Sequence, residues 1–365
     1  MDAFVTTVLN VVPHPNADRL VVATVLGYRC ITARDTFSVG DKVVYVAPDA
    51  AIDVEQPWLD PQVAHYLGKR GRVKNVRLRG LISEGLLFKP SIFTEDQLKA
   101  IAEGRSEDVG ITHYVSPVDR QGKNAALGNV ACNVRSSELP FGLTKTDQEN
   151  AQQLPRSIIV GKNYVVTKKM DGTSCTIAIQ ASLTKLENEN NFIVDTEGVR
   201  WSFDIHVCSR NMDLKTNCFD NVYTTTAMPI ASTMCETIAD VGKKEGLYVL
   251  RGEICGEGIN KSPPNKDAVG EPSFHAFEAF FVVDGVRHRE DIYFEGACLY
   301  NTPACEVFEY VSVTEDNFDA VINKYLDAPA EAFGEGAVFW EVDGEDYLPT
   351  GFSFKAKSRD YYAKL

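Results

Sequence analysis

The 365-residue chain lacks any apolar run approaching the roughly 20 residues that a membrane-spanning helix needs. Its opening, "MDAFVTTVLN", lacks the basic flank of a secretory leader, so none is expected. No CxxC pair occurs. The nine cysteines are odd in number and scattered: Cys30, Cys132, Cys175, Cys208, Cys218, Cys235, Cys255, Cys298 and Cys305. That argues against a disulfide framework or a zinc site and predicts reduced thiols in a reducing compartment, cytoplasmic or nuclear. Six dispersed histidines add no metal-ligand spacing. Internal repeats and low-complexity segments are absent too.

Charge of the sign that nucleic acid attracts is also short overall, because the net charge is −14. It is not short everywhere. Residues 1–90 hold 11 Lys and Arg against 9 Asp and Glu. Within "LGKRGRVKNVRLRG", Leu67 to Gly80, the basic residues Lys69, Arg70, Arg72, Lys74, Arg77 and Arg79 have no acid among them.

What is present is a globular composition, with 44% hydrophobic and 24% charged residues. The length suggests two domains. Residues 1–90 read as short β-branched strands, "FVTTVLNVV", "LVVATVLG", "RCITAR" and "KVVYVA", separated by turn residues, which suggests a small barrel. "FTEDQLKAIAEG" reads as a helix with Thr94 as N-cap, Gln97 completing a capping box, Phe93 and Leu98 at staple positions, and Gly104 as the stop. A polar connector follows, giving a division into residues 1–90, 91–139 and 140–365. The last part mixes strands such as "YVVTKK", "LYVLRGEI", "FHAFEAFFVV", "GAVFWEV" and "GFSFKAK" with two helical faces. One face is Ile230, Met234, Ile238 and Val241; the other is Phe318, Val321, Ile322 and Tyr325.

Five stretches suit a single chemistry. Lys169-Met170-Asp171-Gly172 ends a strand; alone it reads as a strand-end salt bridge, but a lysine with a lowered pKa is a nucleophile. Glu253 sits beside glycines that let a ligand approach the backbone. Of Phe274, Phe277, Phe280 and Phe281 most should be core, while Phe277 and Glu278 could face a base. Glu335 and Gly336 lead into an apolar strand. Lys355 and Lys357 alternate with Phe354 and Ala356 and so share one face. Two ammonium groups side by side repel, and a phosphate between them removes the repulsion. One lysine nucleophile, several acids, an aromatic and a lysine pair suit nucleotidyl transfer, with a hard cation such as Mg²⁺ or Mn²⁺ held by acids.

The order KMDG, "SRN" (Ser209–Asn211), "GEICGEGI", "FHAFEAF", "EGAV" and "KAK" resembles the covalent nucleotidyltransferase superfamily. More closely it is similar to ATP-dependent RNA ligases with an N-terminal OB domain. "PHPNADRLVVATV", "VGDKVVYVAPDAAI" and "RVKNVRLRGLISEGLLF" resemble that module, and "GLTKTDQENAQQLP" the segment before the nucleophile. The resemblance covers nearly the whole chain. Thr173-Ser174 after KMDG, and only eight residues after Lys357, separate it from the DNA ligase and capping patterns. It implies an α+β protein: an OB-like β-barrel, then a nucleotidyltransferase (ATP-grasp-like ligase) domain of antiparallel sheets with flanking helices.

The same resemblance implies the roles. Lys169, not Lys168, would carry AMP. Asp171 and Glu335 would organise the metal, and Glu253 would contact ribose or metal. Phe277 would stack on adenine, Gly172 would line the ATP site, and Lys355 and Lys357 would bind the α-phosphate. Arg210 would bind ATP and, with Ser174, meet the RNA ends, and Arg70, Arg72, Lys74, Arg77 and Arg79 would meet the RNA backbone. The metal, Lys355 and Lys357 should depress the Lys169 pKa. Three departures stand out: Thr167 and Lys168 precede the nucleophile where relatives often carry an acid, no arginine lies near Asn150, and Glu278 replaces the commoner Asp. Arg156 or Lys145 could stand in for that arginine. The expectation is an ATP-dependent RNA ligase joining 3′-OH and 5′-phosphate ends at nicks or breaks in structured or duplex RNA, as in repair, acting as a monomer away from membranes. The rivals are a GTP-using capping-type enzyme and a non-catalytic RNA-binding OB protein.

Overall fold

The computed structural model describes residues 2–114, 133–240, 244–260, 265–292, 298–343 and 348–364. The N-terminal strands form one five-stranded sheet in the order Tyr28–Ala33, Leu20–Val25, Ala3–Pro13, Lys42–Val46, Leu86–Phe88. Its two edges nearly meet: the Ile31 amide donates to Ser83 Oγ at 2.9 Å, and the Glu84 amide to the Arg29 carbonyl at 2.7 Å. This is the small barrel that the β-branched runs predict. The helix Glu95–Ala102 closes one end, with the Thr94–Gln97 capping box formed. Phe93, Ala100, Ile101, Val109 and Ile111 share a core with Val44, Val46, Ile52 and Phe88 of the strands. The segment after residue 90 therefore packs as part of the N-terminal unit.

The remainder is built on two sheets. One is antiparallel and eight-stranded, with Arg200–Ser209, Thr173–Ser182, Gly246–Cys255 and Ser273–Val283 at its centre. The other runs Glu149–Asn150, Leu348–Lys357, Gly336–Asp343, Lys162–Lys168, Val307–Val313. A core of Val165, Val338 and Trp340 from the second sheet packs with Cys175, Ile177, Ile179 and Leu250 of the first and with Ala231, Met234 and Ile238 of the helix Val222–Asp240. That helix starts eight residues before the predicted face at Ile230; Val241 lies outside the described residues. The helix Phe318–Leu326 covers the far side of the second sheet through Ile322, Tyr325 and Leu326.

The chain passes between the two sheets only a few residues after Lys168, through the Lys169–Gly172 turn. No described helix is long and apolar enough to cross a membrane. Cys30, Cys175, Cys208, Cys218, Cys235, Cys255 and Cys305 are all unbridged.

Candidate active site

Strand alternation sends Lys168 and Lys169 to different partners. Lys168 pairs with Asp267. The Lys169 amide donates to the Gly336 carbonyl at 3.0 Å, and Lys169 Nζ lies 2.7 Å from Glu335 Oε1. The two ammonium groups thus point to different acids, Lys168 to Asp267 and Lys169 to Glu335.

The turn is fastened from a distant loop. Asn260 Nδ2 donates to Asp171 Oδ1 at 3.1 Å, Asn265 Nδ2 to the Asp171 carbonyl at 2.8 Å, and the Asp171 amide to Asp267 Oδ2 at 3.1 Å. Gly172 is needed because a Cβ there would lie 2.2 Å from the Ile254 carbonyl oxygen. Gly336 is needed twice over: its φ is +130°, and a Cβ would lie 2.1 Å from the Ala356 carbonyl oxygen. These two glycines let strands carrying Lys169, Glu253, Glu335 and Lys357 approach closely.

Electrostatics follow from burial among like charges. Burial pushes the Glu253 carboxyl up to about 8, with Lys169 opposing and Glu335 and Asp171 reinforcing the rise. Burial and Glu335 push Asp171 up to about 6. For Lys169, burial works against the charge, but Glu335, then Glu253 and Asp171, outweigh it and leave the pKa above the ordinary lysine value. The expected depression presupposes a cation on these acids; where they face Lys169 directly, Glu335 foremost, they favour the protonated amine. The depressed lysine is Lys355, brought down to about 8 by burial, Lys357 and Lys169. The lysine pair does share a face, as the alternation predicts.

Asp171, Glu253 and Glu335 offer oxygen donors only, and burial with mutual repulsion makes two of them, Asp171 and Glu253, protonate more readily than usual. That donor chemistry fits a divalent cation such as Mg²⁺ or Mn²⁺. Among the described residues no three acids, histidines or cysteines already converge as a ready metal cluster; the countercharge within the set is the Lys169 ammonium.

Other predicted residues divide. Phe277 is half-buried, and one of its faces stacks on Trp340 with centroids 5.8 Å apart. Ser174 Oγ lies 3.3 Å from Thr146 Oγ1. Arg210 pairs with Asp147 at 2.5 Å, and Lys355 acts electrostatically on the same acid. Arg156 is engaged elsewhere, 2.6 Å from Asp319 and over the Phe318 ring, which leaves Lys145, near Asp147, as the cation in that segment. Asn150 donates to the Tyr28 hydroxyl at 3.2 Å. Glu278 is bound by Arg251 at 2.9 Å.

The basic stretch is split. Arg72 pairs with Asp49 at 2.7 Å and Arg77 with Asp360. Lys69, Arg70 and Arg79 are exposed, and Lys74 is half-buried. Sequence reasoning missed Asp49, Asn260, Asn265, Asp267, Tyr361 and Tyr362. Asp49 lies 3.1 Å from Lys357 Nζ, the Tyr361 hydroxyl donates to Asp171 and the Tyr362 hydroxyl to Glu335. None belongs to a spaced motif, and the fold alone brings them in.

Lys169, where the chain crosses between two sheets, thus has Glu335, Glu253 and Asp171 around it and Lys355, itself beside Lys357, within electrostatic reach. Residues 162–357 match the RNA ligase family model, and residues 3–90 match an OB-fold domain model. The chain belongs to the RNA ligase family. Among solved structures it is similar to Naegleria gruberi RNA ligase. An apo variant of that enzyme aligns at 23% identity and TM-score 0.74 over 100% of this chain and 98% of that one. A variant with AMP and Mn aligns at 23% and 0.73 over 100% and 98%, and one with ATP and Mn at 22% and 0.72 over 100% and 99%. At this identity the likeness establishes a shared fold. Among curated proteins no relative matches.

Proposed function

We propose that the protein is an ATP-dependent RNA ligase that joins a 3′-OH to a 5′-phosphate at nicks or breaks in structured RNA. The observation that carries this reading is the Lys169 ammonium 2.7 Å from Glu335, within a chain of the RNA ligase family. The Naegleria gruberi structures with ATP or AMP and Mn support the choice of nucleotide and cation.

In the first step Lys169 Nζ attacks the α-phosphorus of ATP. A P–N bond forms, the bond to the β-phosphate oxygen breaks, and pyrophosphate leaves. The amine must first lose its proton, and Glu335 Oε1, 2.7 Å from Nζ, is placed to accept it. Neutralisation of Asp171, Glu253 and Glu335 removes the attraction that keeps it there, and the neighbouring Lys355 cation then favours the free amine. A bound Mg²⁺ or Mn²⁺, held by these three acids, would supply Lewis-acid stabilisation of phosphate charge. Lys355 and Lys357 meet the α-phosphate, Phe277 presents its ring to adenine, and Gly172 keeps the backbone close to the nucleotide. In the second step an RNA 5′-phosphate oxygen takes AMP from Lys169 and forms a 5′–5′ pyrophosphate. In the third the 3′-OH attacks that 5′-phosphorus and AMP departs.

Arg210 and Ser174 would meet the RNA ends. Lys69, Arg70 and Arg79, with Lys74, would carry the phosphate contacts, and a duplex read by shape suits an enzyme that seals ends. The functional division into an OB module at 1–90, a connector at 91–139 and an adenylyltransferase at 140–365 belongs to this proposal, as does action as a monomer.

The test is sealing of a nicked RNA duplex carrying 3′-OH and 5′-phosphate ends, with ATP or GTP. Sealing with ATP supports the reading. No sealing, or sealing with GTP alone, contradicts it.

A further inference from the structure

The end of the chain grips both halves of the molecule. Lys357 Nζ lies 3.1 Å from Asp49 and 4.1 Å from the centroid of the Tyr362 ring. Arg359, almost wholly buried, donates to Glu84 at 2.6 Å, to Asp327 at 2.8 Å and to the Gly27 carbonyl at 3.2 Å. Asp360 accepts from Arg77 and, at 3.0 Å, from the Ala330 amide. Asp49, Glu84, Arg77 and Gly27 all lie in the OB part. The next two side chains reach the acids around Lys169: the Tyr361 hydroxyl donates to Asp171 and the Tyr362 hydroxyl to Glu335. Within the six residues 357–362, the backbone thus joins three OB-module ion pairs to two of the acids around Lys169.

We propose that Tyr361 and Tyr362 are positioning residues that set the Asp171 and Glu335 carboxylates, and that the helix Arg359–Lys364 relays OB-module docking to them. This rests on the ligase reading, in which those acids organise the cation. Two buried carboxylates near each other repel, and each can rotate about its own side-chain bonds. A hydroxyl donated to one oxygen, joined on Asp171 by Asn260 Nδ2 at the other, fixes that rotation and sets which carboxylate lone pairs face the cation. The rings cannot drift, because Tyr361 and Tyr362 pack edge to face at 5.6 Å and Lys357 covers Tyr362. The helix cannot drift either, because burying the Arg359–Glu84 pair makes its separation costly. The OB part then acts on the catalytic acids without touching ATP.

The experiment is Lys169 adenylylation without RNA, on full-length protein first stripped of AMP with pyrophosphate, across a Mn²⁺ titration. Mn²⁺ binding without nucleotide is read in parallel by electron paramagnetic resonance. Tyr361→Phe and Tyr362→Phe should each raise the half-maximal Mn²⁺ concentration roughly tenfold, the size expected for one lost hydrogen bond to a charged group. Labelling should recover at saturating Mn²⁺, and Mn²⁺ binding by the free enzyme should weaken in parallel. Arg77→Ala should move both readouts the same way by less; contacts with RNA are silent in this step. Unchanged or lowered Mn²⁺ requirements in the tyrosine variants would overturn the proposal, and an unchanged Arg77→Ala would overturn the relay. Should one Phe variant fail to fold, as judged by melting, the other and Arg77→Ala still decide the matter. Failure of the wild type to label would instead strike the ligase reading.

Discussion

At the residue scale the molecule turns on where protons sit around Lys169. Glu253, held up to about 8, is the clearest case. A free glutamate titrates near 4.3, so between about pH 4.3 and 8 the folded protein keeps a proton that the unfolded chain has lost. The stabilising contribution is complete below the unfolded value and is lost as pH rises through the folded one. Glu253→Gln should therefore melt higher than wild type at pH 8.5 by a few degrees, with the gain shrinking at pH 5; calorimetry at the two pH values checks this. A gain that grows toward pH 5 would contradict the assignment. The same substitution should lower adenylylation, since it removes one oxygen ligand of the proposed cation site.

At the scale of elements, the decisive piece is the crossing from Lys162–Lys168 to Thr173–Ser182 through Gly172. A Cβ at Gly172 would meet the Ile254 carbonyl oxygen at 2.2 Å, so Gly172→Ala should force the turn away from the Glu253 strand. Loss of label on Lys169 of at least tenfold, in a protein that still melts cooperatively, is the expected result, about 1.4 kcal/mol in the barrier. A simpler case is the Glu95–Ala102 helix, where Thr94→Ala removes the oxygen that accepts from the Gln97 amide and should cost about 1 kcal/mol in urea denaturation. That helix was legible in the sequence because its cap and staple are local. The strands Lys162–Lys168, Gly246–Cys255, Ser273–Val283 and Gly336–Asp343 were legible because β-branched and aromatic residues crowd them. Arg200–Ser209 was not. Its Asp204 and His206 look solvated in sequence, yet they are buried, with His206 at 2.8 Å from Asp213 and 3.2 Å from Asp204. Their distant partner is Arg135, 3.2 Å from His206 and 3.3 Å from Asp204, and no local pattern reports that contact.

At the scale of the whole molecule, the OB part docks through ion pairs, Asp49 with Lys357, Glu84 with Arg359, Arg77 with Asp360 and Arg29 with Asp327. The basic stretch looked uniform in sequence because residue type says nothing about which cations the fold itself uses. Lys169, Glu335, Lys355 and Lys357 were legible as an ordered set, whereas Asp49 meets Lys357 across 308 residues, Tyr361 meets Asp171 across 190 and Tyr362 meets Glu335 across 27, with no motif linking any of them. The division of the patch has a consequence for RNA affinity. Arg70→Ala and Arg79→Ala should each weaken binding and reduce the slope of log K against log salt by about 1. Binding titrations over a salt series check this, and an unchanged slope would remove these residues from the RNA interface.

The central claim, that Lys169 carries AMP, is tested most directly by incubating the protein with Mn²⁺ and α-labelled ATP, denaturing it, and reading label on the polypeptide. The account predicts label in wild type and Lys168→Ala, none in Lys169→Ala, and none from GTP. Label retained by Lys169→Ala, or wild type that neither takes label nor releases ATP when given pyrophosphate, would contradict it.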